Sequence, residues 1–200
     1  MKVASFARTS WATDATWFAM IAGKYDQSHA HHDQGSFTFF KGDWLAVTAN
    51  IWSHSGIHQE DEVHNILRFE RLSNGSVIPQ NASTSVQSSS SYTQTGDLGQ
   101  GGTLDVTANL ANAYSQNRSA IQAWTRTLAL TGTTLRVHDV CSVAAGIKPI
   151  FQLHVPAQPV LQEDGSITAG TLRLVPLRPV HSAFTKMPSP EYSKGWRKPS

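Results

Sequence analysis

The chain is poor in charge. Only 15% of its 200 residues are Asp, Glu, Lys or Arg, and the formal net charge is +2. Lys and Arg form no dense stripe, which argues against the electrostatic footprint of a nucleic-acid binder. Cysteine is nearly absent: Cys141 is alone, so there is no internal disulfide framework. It sits in the alternating run "LRVHDVCSV" and reads as a small buried residue. No stretch approaches the roughly 20 consecutive apolar residues of a membrane span. The start, "MKVASFARTSWATDATW", lacks the continuous apolar centre of a signal peptide. Neither nucleic acid nor membrane is therefore expected as a partner. On these residues the chain is either cytosolic or the mature or truncated form of a longer protein. Long amphipathic helices are missing too, with "DVTANLANAYSQ" the nearest candidate.

What is present is a succession of short strand-like runs separated by polar or glycine-containing breaks. "KVASFARTS", "ATWFAMIAG", "SFTFF" and "DWLAVTAN" come first, with "FFKGDW" as a tight hairpin turn. "HNILRFERL" follows. Strands resume at "TLDVTANLANAYS", "AIQAWTRTLALTG" and "TTLRVHDVCSV", and close with "IFQLHVP" and "PVLQEDGSITAGTLRLVPLRP". The expected fold is all-β, a sandwich of antiparallel sheets. One domain over residues 1–182 is expected, followed by a basic tail at 183–200. Residues 80–102, rich in Ser, Thr, Gln and Gly, offer little to a core and are expected to form an exposed, mobile loop.

The densest chemistry lies in "SHAHHDQGSF". Six of the nine histidines fall between residues 29 and 64, namely His29, His31, His32, His54, His58 and His64, with Glu60 and Asp61 among them. If the first segment is extended, His29, His31 and Asp33 share one face and His32 points to the other. Imidazole nitrogens and carboxylate oxygens at two-residue spacing suit a metal or proton-handling site. Spacing alone is a moderate signal, since no Cys-x-x-Cys or His-Glu-x-x-His pattern accompanies it. His138 and His154, each isolated on a strand pattern, read as ordinary strand residues.

The stretch "TSWATDATWFAMIAGKYDQSHAHHDQGSFTFFKGDWLAVTANIW" resembles the start of the C-terminal β-sandwich region of heparinase II/III-type polysaccharide lyases. The matching pieces are the His-x-His-x-Asp-x-Gly-Ser-Phe run at 29–37, "GDWLAV", and "VHNIL" at 63–67. "AWTRTLALTGTTLRVHDVCS" resembles the family's Trp-x-Arg, strand, Asp stretch. "FQLHVP" and "LRLVPLRP" also fit, so the likeness spans most of residues 3–180. The resemblance implies cleavage of a uronic-acid polysaccharide by β-elimination. It places His29 in the catalytic cleft and makes His31 and His64 zinc ligands. Asp33 and His32, in the same histidine segment, are expected as supporting residues. It also implies an acidic polysaccharide partner, a periplasmic or secreted location, and an upstream α/α toroid domain that supplies the catalytic tyrosine and much of the cleft.

Two departures from the family pattern stand out. The family's third zinc ligand is an aspartate, and Thr48 occupies that position; His58, or else His54 or Asp61, would have to replace it. Nothing in the chain resembles the toroid domain, so the isolated chain is expected to hold only part of a lyase site. Two other readings remain. One is a carbohydrate-binding module using Trp11, Trp17, Trp44 and Trp52; the other is a structural domain clipped by its metal.

Overall fold

The computed structural model of the chain describes residues 4–24, 31–48, 60–81 and 87–177. Their fold is the expected all-β sandwich of antiparallel sheets. The first sheet is a meander of β1 (Ala4–Arg8), β2 (Thr16–Ile21), β3 (Phe37–Lys41) and β4 (Asp43–Ala46). Its inward set is the alternate apolar series that the sequence spells out: Phe18 and Met20 on β2, Phe37 and Phe39 on β3. Gly42, at a φ of 69°, makes the sharp β3–β4 turn. β5 (Leu67–Arg71) lies beyond a single 3-10 turn at Asp61–Val63.

The second large sheet runs β6 (Ser89–Thr95), β7 (Thr103–Asn109), β8 (Ile121–Thr131) and β9 (Thr134–Val143) in that order. Further 3-10 turns occupy Leu98–Gln100 and Ala111–Asn117. β5 pairs with β10 (Ile147–Phe151), which tolerates Pro149 because its other edge carries no strand among the described residues. A small sheet of β11 (Val160–Leu161), β12 (Ile167–Ala169) and β13 (Leu172–Leu174) follows.

The core forms where the two large sheets and β5 turn their apolar faces together. At its centre Phe69 meets Tyr114 edge-on at 5.2 Å and Trp124 at 5.9 Å. Rings of this size, fully buried, each contribute roughly 1.5–3 kcal/mol. A register shift between Ile121 and Ala123 turns Trp124, and then Arg126, Leu128 and Leu130, inward along β8.

Two expectations need correction. The stretch 80–102 is not one open loop. Ser89–Thr95 is a strand paired along its whole length with β7, and Gln80 and Asn81 are buried. An edge strand whose side chains mostly face solvent needs no apolar residues, so composition gave no sign of it. In "DVTANLANAYSQ", the part to Asn109 is strand and only Ala111–Asn117 winds into 3-10 turns. The tail at 183–200 lies outside the described residues.

Candidate functional site

Residues 31–36 carry no strand. They form an irregular link into β3, which starts at Phe37. Asp33 to Ser36 close a turn in which the Ser36 amide donates to the Asp33 carbonyl at 2.8 Å, with Gly35 at a φ of 82° in the third position. The expected strand alternation of His31 and Asp33 against His32 therefore does not hold. His29 and His58, together with His54 and Trp52, lie outside the described residues.

His31 and His64 do come together. The Nδ1 of His31 is 3.2 Å from the Nε2 of His64, across 33 positions of sequence. Thr48 reaches the same ring from its far side. Its Oγ1 donates to the Val63 carbonyl at 2.9 Å and lies 3.1 Å from the Nδ1 of His64. A hydroxyl has one proton, and both contacts are satisfied only when Nδ1–H of His64 donates to Oγ1. This assignment leaves a lone pair on Nε2, facing His31. Thr48 thus sits at the ring nitrogen that points away from His31. It orients His64 rather than standing in as a ligand beside Nε2.

A separation of 3.2 Å suits a ring-to-ring hydrogen bond and also two donors on one tetrahedral ion at the usual zinc–nitrogen length. Among the described residues the pair supplies two donors, whereas a closed structural zinc site uses four.

His32 builds a second cluster. Its Nδ1 lies 3.2 Å from Asp61 Oδ2 and 3.1 Å from Glu60 Oε2. Asp61 is 1% exposed and Glu60 stands at the rim. Behind, the Gln80 amide donates to both Asp61 oxygens at 3.2 Å, and the Tyr114 hydroxyl donates to Oδ1 at 3.4 Å. The hydrogen bond to Asp61 raises the His32 pKa against the opposing effect of burial. Ion pairing should lower Asp61 in return, yet its pKa is raised, because burial of the carboxylate outweighs its partners. Tyr114 is driven well above the phenol range by burial, then by the Asp61 charge.

The frame around both clusters is tightly bonded. Gln80 exchanges two 2.9 Å hydrogen bonds with the backbone of Gln34. Asn65 donates to the carbonyls of Phe37 and Val47 and accepts from the amide of His154. Gln152 donates to the carbonyls of Asp61 and His64. Arg126, fully buried, pairs with Asp139 through Nε and Nη2 at 2.8 Å. Its Nη1 donates to the carbonyls of Gly35 and Asn65, also at 2.8 Å. One guanidinium therefore grips the segments that carry His31 and His64.

The resemblance made His31 and His64 ligands of one ion and named Asp61 only as a substitute; the structure brings the two rings to 3.2 Å. Sequence reasoning missed Gln80, Tyr114 and Arg126. Arg126 did leave a signal, as a charged residue in phase with Trp124, Leu128 and Leu130. Comparison with known protein families and with curated proteins finds no match to this chain.

Proposed function

We propose that this chain is the β-sandwich part of a polysaccharide lyase that cleaves a uronic-acid polymer by β-elimination. In that reaction a base takes the C5 proton, the C4–oxygen bond breaks, a C4–C5 double bond forms, and the departing oxygen gains a proton. The supporting observation is the meeting of His31, Thr48 and His64, three positions that the resemblance to heparinase II/III-type lyases marks as one site. His29 is the cleft residue on this reading, and an upstream toroid domain supplies the rest. Zinc is the proposed ion for His31 and His64, with His58 as the first-choice further ligand. An acidic polysaccharide is the proposed partner, met in the periplasm or outside the cell. No described helix is long and apolar enough to cross a membrane.

A second reading rests on the outer face of the first sheet. Trp17 stacks on Phe40 at 5.2 Å and 18°, and meets Trp44 edge-on at 4.9 Å. Phe6 lies 5.4 Å from Trp17 on the adjoining strand, 56% exposed. Aromatics from all four strands thus make one row, the kind of surface on which sugar rings stack. On this reading the domain binds carbohydrate without cleaving it.

NMR titration with oligosaccharides of several uronate polymers separates the two. Shifts at the His31, His32 and His64 rings, together with ultraviolet absorbance of the unsaturated uronate once the upstream region is supplied, are expected. Shifts confined to the Trp17 and Trp44 indoles, with no elimination product, would overturn the lyase reading.

A further inference from the structure

We propose that His32, Glu60 and Asp61 form a binding site for a divalent transition-metal ion, zinc first, separate from the His31–His64 pair. The crowding at one nitrogen carries the argument. Nδ1 of His32 holds at most one proton, yet two carboxylate oxygens stand within 3.2 Å of it. One proton serves one of them well and leaves the other oxygen facing like charge. A cation among the three satisfies all of them at once. All three donor atoms lie within 4.8 Å of one another. The nitrogen–oxygen separations match the edge of a coordination shell with metal–ligand lengths of roughly 2.0–2.2 Å.

The surroundings meet the other requirements of a metal site. Asp61 is held from behind by the Gln80 amide and the Tyr114 hydroxyl, which fix its outward oxygen. Glu60 is half exposed and His32 is 14% exposed, so an ion can reach the cluster from solvent. Two carboxylates balance a double positive charge. Three protein donors leave at least one position for water or an oxygen of a ligand, the arrangement of an open rather than a closed site. One nitrogen and two oxygens favour zinc or manganese over the softer thiolate-seeking ions.

The test uses the whole chain, stripped with chelator and titrated with zinc alone at about pH 7.5, well above the ordinary imidazole pKa. Calorimetry gives affinity, and elemental analysis after desalting gives content. Glu60→Gln removes one charged donor at an exposed position and should weaken uptake by at least about tenfold, the scale on which even outer-shell partners act. His32→Gln should do the same. His31→Ala should leave this uptake in place. Wild-type affinity in both Glu60→Gln and His32→Gln would overturn the site, as would a folded chain that takes up no zinc. Loss of uptake in His31→Ala with wild-type uptake in Glu60→Gln would assign the ion to the other pair and overturn it too. No glycan enters the measurement, so it can fail while the lyase reading stands, and the reverse.

Discussion

Two polar clusters a few residues apart serve opposite ends. Around Arg126 a permanent charge is sealed in: the guanidinium is fully buried, its carboxylate partner Asp139 takes two donors, and two backbone carbonyls take the rest of the contacts. Around His31, His32 and His64 the groups are titratable: His31 and His32 are half-buried, His64 and Asp61 are buried, and imidazoles and carboxylates meet one another directly. In the first cluster the planar fork of the guanidinium fixes each donor in place. The second changes state with a proton. The difference teaches that the closed cluster acts as a jig: by gripping the carbonyls of Gly35 and Asn65 it fixes the backbone from which the open cluster projects.

The sharpest way to break that contrast is to remove the jig. Arg126→Ala leaves Asp139 with the Trp124 indole N–H but without the guanidinium, and takes the Arg126 donor from two carbonyls; it should destabilise the fold by about 3–5 kcal/mol. Arg126→Lys keeps the charge but not the fork, so it should recover only part of the loss. Urea unfolding measures both. A loss under about 1 kcal/mol for Arg126→Ala would mean the ion pair is replaceable and no jig at all.

Gly35→Ala comes next. A Cβ there would lie 2.6 Å from Leu110 Cδ1 and 2.8 Å from Trp124 Cη2, on a backbone with φ of 82°. Strain and overpacking together should cost about 1–3 kcal/mol and loosen the turn that leads from His31 into β3. A melting temperature unchanged from wild type would show that the turn can relax and that the glycine of the Asp-x-Gly-Ser-Phe run is dispensable.

The sequence carried the sheets well, because inward residues alternate cleanly on β2, β3 and β8. No local rule announced the neighbourhood of His31 and His64, which lie 33 positions apart in sequence. The sequence carried neither β6, whose polar side chains hide a fully paired backbone, nor the inward burial of Asp61. Asp61 is held by the amide of Gln80 and the hydroxyl of Tyr114, contacts between distant segments that no spacing announces. Strand alternation misled at His31–Asp33 because the Gly35 turn ends the extended run before the histidines are reached.

The pH response of the open cluster should be measured in chelator-treated protein. His32 has a folded pKa raised above its ordinary 6.5. Its contribution is therefore fully present below about 6.5 and fades as pH climbs through the raised value. His154 is shifted the other way, chiefly by burial. Its contribution is present above about 6.5 and is lost as pH falls through the lowered value. The stability gap between wild type and His32→Gln should narrow with rising pH, and the gap for His154→Gln should widen. Parallel curves for the two variants would break the assignment.

The smallest effect concerns Thr48, whose hydroxyl oxygen lies 3.1 Å from His64 Nδ1. Thr48→Val keeps the shape but removes the oxygen that accepts from His64 Nδ1 and donates to the Val63 carbonyl. A loss of about 1 kcal/mol is expected, typical of a hydrogen bond between neutral groups. The more telling readout is the tautomer, visible in nitrogen NMR of the ring. Wild-type His64 should carry its proton on Nδ1 and present a bare Nε2 to His31. The valine variant should shift toward a mixture, because the oxygen that accepts from Nδ1 is gone. Thr48→Asp should push the other way, holding Nδ1–H more firmly and raising the basicity of Nε2, as a carboxylate does behind a metal-binding imidazole. If wild-type His64 instead carries its proton on Nε2, then Thr48 does not orient the ring, and the lone pair offered toward His31 is not there for an ion to use.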